Sequence, residues 1–439
     1  MNGFPGAENN AALIADSTVA GGSSFQMGLH ATLTFDEVAQ SGEPTNPLDE
    51  TVKPDIFRGK RNVKVRVIPA NGSDVRLEQV FLKRVTADGC RQVYRKVKEK
   101  KKTADKKAQY DGVVLFALRM ELVEGHSDLY REPRPEDADN HLVAIKKQSL
   151  AKIKYHVDRG HHENPYTAIS RMQTIGDDVH VLGCIEALTD NKNLYTIMRY
   201  CDGGIMDMLL DDDGEHLHSV PENTARDCIT KVWKNLRYLQ EHGIVHHDLS
   251  PDNIMSLSGV LVLTDLAMSL KVSHDPTEQQ IRRLLLPQGR YGKDPYLSPE
   301  AFTSQSPFDG FGLDLWASGC VLYNLLTGHH LYHQPYPTDT LFKYFVMAKG
   351  LSNTPLNERT LEIMVDVFQN GASHVDQQPL MTRAMAHIQL SPTSVQLMEN
   401  MLEINPAKRY TLAQCMESSW AWGDELLYLD PANSRRNAQ

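Results

Sequence analysis

Cysteine is scarce in this chain and long apolar runs are missing, and each shortage closes a class of explanation. Six cysteines (Cys90, Cys184, Cys201, Cys228, Cys320 and Cys415) are scattered over 439 residues with no C-x-x-C pair. Neither a zinc site nor a disulfide framework is therefore indicated. The longest clearly apolar stretch, Val113 to Leu118, is far short of the ~20 residues that cross a bilayer. No membrane span is expected. The opening MNGFPGAENN has neither the basic start nor the apolar centre of a secretory signal. A reduced, intracellular protein of the cytoplasm or nucleus is the simplest expectation. Positive charge is also in deficit, 46 Lys and Arg against 56 Asp and Glu, a net charge of −10. That argues against a general affinity for nucleic acid. No repeat of roughly 20–50 residues is visible. With 41% apolar and 23% charged residues, disorder throughout is excluded.

What is present falls into four stretches. Residues 1–55 are rich in Gly, Ser, Ala, Asn and Asp and lack a sustained period, which predicts a flexible leader. Residues 56–89 form an extension with strands. Structure is expected from about Asn62, where Val63, Val65 and Val67 alternate with Lys64 and Arg66, the mark of a strand with one buried face. A second apolar run, Val80–Val85, follows a turn at Asn71-Gly72. The basic stretch Arg95–Lys107 reads as a solvated loop or strand edge. Residues 90–422 form the main domain, and 423–439 a tail. Strands are predicted over 113–123 and 141–146. A helix is predicted over 222–242, where Ile229, Val232, Leu236 and Leu239 recur at helical steps before Gly243. A second, over 314–327, is apolar nearly all round and should be buried. Strands first and helices after suggest an α+β chain with a small sheet lobe and a larger helical lobe.

The sharpest chemical signal is Ile244-Val245-His246-His247-Asp248-Leu249-Ser250-Pro251-Asp252-Asn253. A carboxylate at 248 can accept a hydroxyl proton, and an amide oxygen five residues on can hold a metal ion. Taken alone such a string is weak, but it has company in a fixed order. Val143-Ala144-Ile145-Lys146 lies upstream, and Leu261–Leu263 runs into Asp265 downstream. Gly292 through Pro299-Glu300, then Asp314-Leu315-Trp316-Ala317-Ser318-Gly319, then Asn405-Pro406 through Arg409, follow.

This series resembles the eukaryotic protein kinases over roughly residues 90–422, as a divergent serine/threonine-type member with a bilobal fold. The resemblance implies ATP and Mg²⁺ in a cleft between the lobes and a protein substrate. It implies Asp248 as catalytic base, Lys146 as phosphate anchor, and Asn253 and Asp265 as metal ligands. Gly112, Val114 and Ala144 would line the nucleotide site, with Met198 at its back wall and Arg199, Tyr200 and Cys201 as the hinge. Arg409 should pair with Glu300.

Several positions depart from the pattern. The glycine-rich loop keeps only Gly112, with Lys107, Ala108 and Gln109 where flexible glycines belong; Lys106 and Lys107 could compensate as point charges. Ala168 occupies the helix position whose glutamate pairs with the strand lysine, and Glu163, the nearest carboxylate, precedes Pro165. His247 replaces the arginine that reads an activation-loop phosphate, so control by phosphorylation there is not expected. Ser250 replaces the lysine that stabilises the transferring group, while Lys293 stands where a threonine usually meets that lysine. An exchange of sides is expected, with Lys293 acting in catalysis beside Ser250. The alternative is a catalytically impaired pseudokinase serving as a nucleotide-binding or scaffold module. Nothing in the sequence fixes the oligomeric state.

Overall fold

The computed structural model describes residues 44–48, 53–85, 92–99, 112–159, 163–176, 178–211, 214, 217–273, 284–304, 307–335, 339–342, 345 and 390–423. Lys106, Lys107 and the rest of the degenerate glycine loop lie outside these residues.

The first half of the chain is a sheet. Its strands are β1 (Ile56–Ile68), β2 (Arg76–Val85), β3 (Val93–Glu99), β4 (Val113–Leu122), β5 (Leu129–Arg131), β6 (Leu142–Ser149), β7 (Glu186–Thr189) and β8 (Asn193–Arg199). β1 and β2 form an antiparallel hairpin, with Val63 opposite Val80, around a turn closed by Gly72 N–H donating to the Pro69 carbonyl at 3.2 Å. Alternation along β1 places Val65 and Val67 in the interior and Lys64 and Arg66 in solvent.

Pairing then runs β1–β2–β3–β4–β6–β8–β7 and returns to β1 through the parallel register Ile56–Arg58 against Ala187–Thr189. The sheet is a closed ring, which removes the exposed edges an open sheet would carry. β5 closes its far end by joining β1 and β4. Two apolar clusters fill the interior. One is built on Leu82, Leu115, Val143, Leu188 and Tyr195, the other on Val65, Val80, Val93, Met120 and Tyr130.

The leader expected over residues 1–55 is described only at 44–48 and 53–55, and there it is hydrogen-bonded to the rest of the protein. Ordered chain begins before the Asn62 of the expectation because pairing with β7, remote in sequence, extends β1 back to Ile56. The described part of the 56–89 extension, residues 56–85, is likewise hydrogen-bonded into the same sheet as β3–β8.

Helices α1 (Ala138–His141) and α2 (Leu150–Val157) pack on this sheet, and α3 (Pro165–Ile175) packs on the turn Leu266–Met268 that follows Asp265. α3 starts where Asn164 accepts the Tyr166 N–H at 3.0 Å and Pro165 fills the first turn. The second half is mainly helical, with α4 (Ile205–Leu209), α5 (Glu222–Glu241), α6 (Pro299–Thr303), α7 (Gly310–Thr327) and α8 (Pro392–Met401). It also carries the short strands β9 (Gly203–Gly204), β10 (Ile244–Val245), β11 (Ile254–Leu257), β12 (Val260–Leu263), β13 (Leu270–Lys271), β14 (Leu284–Leu285) and β15 (Phe308–Asp309). α5 buries Ile229, Val232, Leu236 and Leu239, the face its spacing predicts.

α7 is buried along its whole length but begins four residues before the expected start. Gly310 and Gly312 read as breakers in sequence. In the fold, Gly310 is a contact point: a Cβ there would lie 2.8 Å from Val245 Cγ2, so only glycine admits this approach. Among the described residues no helix is long and apolar enough to cross a membrane.

Candidate active site

The loop after α5 is held from beneath by one carboxylate. Asp314, on buried helix α7, accepts the N–H of His246 at 2.7 Å and of His247 at 2.8 Å. Burial still pushes the Asp314 carboxyl up to about 7, against these hydrogen bonds. His247 is held at φ +66°, a conformation that costs a non-glycine residue energy and persists only when its surroundings over-determine it. The His246 ring shares a contact at 2.9 Å with the Thr264 carbonyl through Nε2, while its Nδ1 accepts the Asp248 N–H at 3.3 Å. Burial drives its pKa down to about 4, so the ring is neutral and structural.

Four predicted side chains converge above this loop. Lys146 Nζ, from β6, lies 2.8 Å from Asp265 Oδ2. Burial lowers the Lys146 pKa, but Asp265, Glu163 and Asp248 outweigh it and the net shift is upward. Burial raises that of Asp265, and Lys146 reverses it. The pair is a charged one. Asp265 adopts φ +61° at the end of β12 (Val260–Leu263). Asn253 donates its amide to the Asp248 carbonyl at 2.7 Å and to Asp248 Oδ2 at 3.1 Å. The other carboxylate oxygen, Asp248 Oδ1, is buried with no hydrogen-bond partner among the described residues. Burial raises this carboxyl to about 6, moderated by Lys293.

Lys146, Asn253 and Asp265 border a cavity of about 760 Å³ between the sheet and the helical half, the size of a small-molecule site. Asp248 does not line it but is bonded to Asn253 and faces a smaller cleft with Lys293. Val114, Ala144, Lys146, Met198, Tyr200, Cys201, Asn253 and Asp265 line the larger cavity. Gly112 does not. It precedes β4, beside the part of the glycine loop outside the described residues. Phe116 and Tyr200 meet edge to face at 5.2 Å across the mouth. Burial pushes the Cys201 thiol up to about 11, so it stays protonated. Ala168 faces the cavity, as its register predicts, leaving α3 without a carboxylate there. Glu163 is instead drawn toward the cleft by the hydrogen bond from Asn164 N–H to the Ala267 carbonyl, 2.9 Å. Its carboxyl rises to about 7, mainly by burial, with Lys146 opposing.

Lys293 Nζ lies 2.8 Å from Ser250 Oγ and 2.7 Å from Asp252 Oδ2. Ser250 is fully buried. Asp252 was absent from the expectation. Only its place two residues after Ser250, on the face that Lys293 approaches, could have signalled it. Gly292, at φ +86°, lets the segment carrying Lys293 come close, because a Cβ there would stand 3.0 Å from the His247 carbonyl.

His247 packs its ring 5.1 Å from Tyr291 and stacks on Phe308 at 6.1 Å. An aromatic cluster thus occupies the place where a phosphate reader would stand. Tyr291 is itself buried. Farther back, the Arg409 guanidinium clasps Glu300 at 2.6 and 3.1 Å, and accepts no solvent.

The fold and this constellation are of the protein-kinase kind, and comparison with known proteins agrees. The chain belongs to the protein kinase family, whose model, described as protein kinase domain, matches residues 135–421. The match starts after β5, so the hairpin β1–β2 lies outside it. Among curated proteins the chain is similar to serine/threonine-protein kinase PRR2 of Saccharomyces cerevisiae, 25% identical over 290 residues, covering 64% of this chain and 39% of that protein. It is also similar to serine/threonine-protein kinase stk11 of Xenopus laevis, 26% identical over 233 residues, covering 53% and 44%. A third is serine/threonine-protein kinase HAL5 of Candida glabrata, 25% identical over 248 residues, covering 55% and 27%. The chain thus spans less than half the length of these relatives.

Proposed function

We propose that this chain is an active intracellular protein kinase that transfers the γ-phosphoryl group of Mg²⁺-bound ATP to a protein hydroxyl, with serine and threonine favoured. The observation that carries the reading is that Lys146, Asp265 and Asn253 line one cavity and that Asn253 bonds Asp248, whose Oδ1 is buried and unbonded among the described residues. Such an oxygen is costly to bury alone and is suited to an incoming hydroxyl or cation.

Lys146 anchors the α- and β-phosphates as a point charge. Asn253, its amide oriented by Asp248, and Asp265, oriented by Lys146, are the oxygen donors that would hold Mg²⁺. When bound, the ion neutralises charge along the triphosphate. Asp248 takes the proton of the acceptor hydroxyl as its oxygen bonds to phosphorus and the bond to the ADP oxygen breaks. Lys293, hydrogen-bonded to Ser250, offers positive charge to the transferring group from the opposite side of the loop. Similarity to kinases named for serine and threonine supports that preference.

Ala168 favours a second reading, a pseudokinase that binds nucleotide and scaffolds a partner, because α3 offers no carboxylate to Lys146. Purified full chain with Mg²⁺ and labelled ATP separates the two. An active kinase labels itself or a generic protein, and Asp248→Asn abolishes the signal. A silent wild type that still binds nucleotide means the scaffold.

A further inference from the structure

The segment from Asp265 to Glu300 leaves the active site as β13 (Leu270–Lys271) and returns as β14 (Leu284–Leu285). Each short strand has one edge paired within the helical half. β13 pairs with β10 (Ile244–Val245), and β14 with β15 (Phe308–Asp309). Their other main-chain groups face residues 44–48. Leu48 N–H donates to the Lys271 carbonyl at 2.8 Å. Thr45 N–H donates to the Leu284 carbonyl at 3.1 Å, and the Thr45 carbonyl accepts Leu286 N–H at 2.9 Å. Five residues therefore bind both limbs of the segment by main-chain bonds, Thr45 bridging Leu285 in parallel.

The local sequence suits this role. In Pro44-Thr45-Asn46-Pro47-Leu48 the prolines fix φ and press the residue before Pro47 toward an extended shape. They also remove two N–H groups, and the two donors used are on non-proline residues. An extended strand with pre-set φ loses less entropy on docking.

The same chain continues into the sheet. Asp55 N–H donates to Gln173 Oε1 at 2.8 Å, and Gln173 Nε2 donates to the Asp55 carbonyl at 2.9 Å. Gln173 sits on α3, whose Arg171 donates to the carbonyl and hydroxyl of Ser269, just before β13. A circuit results: residues 44–48 to the segment, the segment to α3, and α3 back to Asp55. Nothing in it needs a phosphate, and His247 offers aromatic packing where a basic reader would stand.

We propose that the paired limbs at Lys271 and Leu284–Leu286 form a strand-accepting site whose occupant is this chain's own residues 44–48. With Asp55 on α3, this strap positions the segment that carries Lys293 and the helix behind Lys146. Its main chain does the ordering, so side chains at 45 and 48 matter little. The effect on turnover rests on the kinase reading above.

The test uses full-length variants. Thr45→Pro with Leu48→Pro deletes both donors, and Thr45→Ala with Leu48→Ala keeps them. Amide exchange at Leu286 and phosphotransfer are read together. The proline pair should speed Leu286 exchange at least ~10-fold, as expected when a local unit opens more easily. It should slow transfer ~10–100-fold, the scale of a positioning fault. The alanine pair should stay within about twofold on both readouts, since it leaves the main-chain bonds intact, and this also controls for folding. Leu286 exchange unchanged by proline overturns the strap. Faster exchange with undiminished transfer overturns its positioning role, and losses shared by the alanine pair overturn the main-chain basis. A wild type that transfers nothing counts against the kinase reading alone, because exchange at Leu286 still judges the strap.

Discussion

The helical half and the sheet half keep the family pattern to different degrees. In the helical half the pairing read from sequence, Arg409 on Glu300, is in place, and the structure adds Asp314 under His246 and His247 and Asn253 on Asp248. In the sheet half, the glycine loop is degenerate and the carboxylate of α3 is replaced by Ala168. Closure of the sheet by β1 and β2 supplies rigidity there. So does a buried polar junction, in which Arg84 of β2 meets Glu186 of β7 at 3.1 Å and the Tyr94 hydroxyl of β3 donates to the same carboxylate. Arg84 also lies 3.6 Å above the Phe57 ring. The contrast has a physical reason. Proton transfer needs particular atoms at fixed distances, so on the kinase reading proposed above the loop at Asp248 tolerates a change only where an equivalent charge arrives from nearby, as proposed for Lys293. Holding the nucleotide lobe in shape can be achieved by any scaffold stiff enough.

Arg409→Leu should show the largest effect, a loss of about 3–5 kcal/mol, because Glu300 would be left buried without its partner. Equilibrium unfolding in denaturant measures it. Glu186→Ala should cost less, roughly 1–3 kcal/mol, by leaving the Arg84 and Tyr94 donors without their acceptor. If the Glu186 variant proved the less stable of the two, the sheet half would be the more rigidly specified and the comparison would invert.

A smaller, graded effect is expected with pH. Asp248 works as carboxylate, and its pKa is raised to about 6. The base form is therefore lost as pH falls through that value, and kcat/KM should drop about tenfold per unit below it. His246, held neutral down to about 4, adds no step in that range, while Glu163 and Asp314, both raised to about 7, protonate above the Asp248 step. A flat kcat/KM between pH 7 and 5 would remove Asp248 from the role of base.

Sequence made some of this legible and not the rest. Lys146, Asp248, Asn253 and Asp265 could be found because their spacing along short motifs is set by local loops. Helix α5 could be found because its burial face repeats within one segment. The strap at 44–48 could not: its pattern, Pro-Thr-Asn-Pro-Leu, has no apolar alternation, and its partners lie more than two hundred residues away. The early start of α7 was hidden for the opposite reason, since glycines that usually interrupt helices serve here to let Val245 and Asp309 come close. Closure of the sheet rests on β1 meeting β7 across more than a hundred residues, a pairing that no local pattern announces.

The most direct measurement is a charge swap at the catalytic loop, read as single-turnover phosphoryl transfer. Lys293→Thr alone should slow transfer ~10²–10³-fold, the usual cost of one lost electrostatic donor. Adding Ser250→Lys to it, which returns the positive charge from the other side of the 2.8 Å contact, should recover most of that rate. Lys293→Thr with undiminished transfer, or a double variant no faster than the single one, would contradict the claim that these two residues have exchanged places.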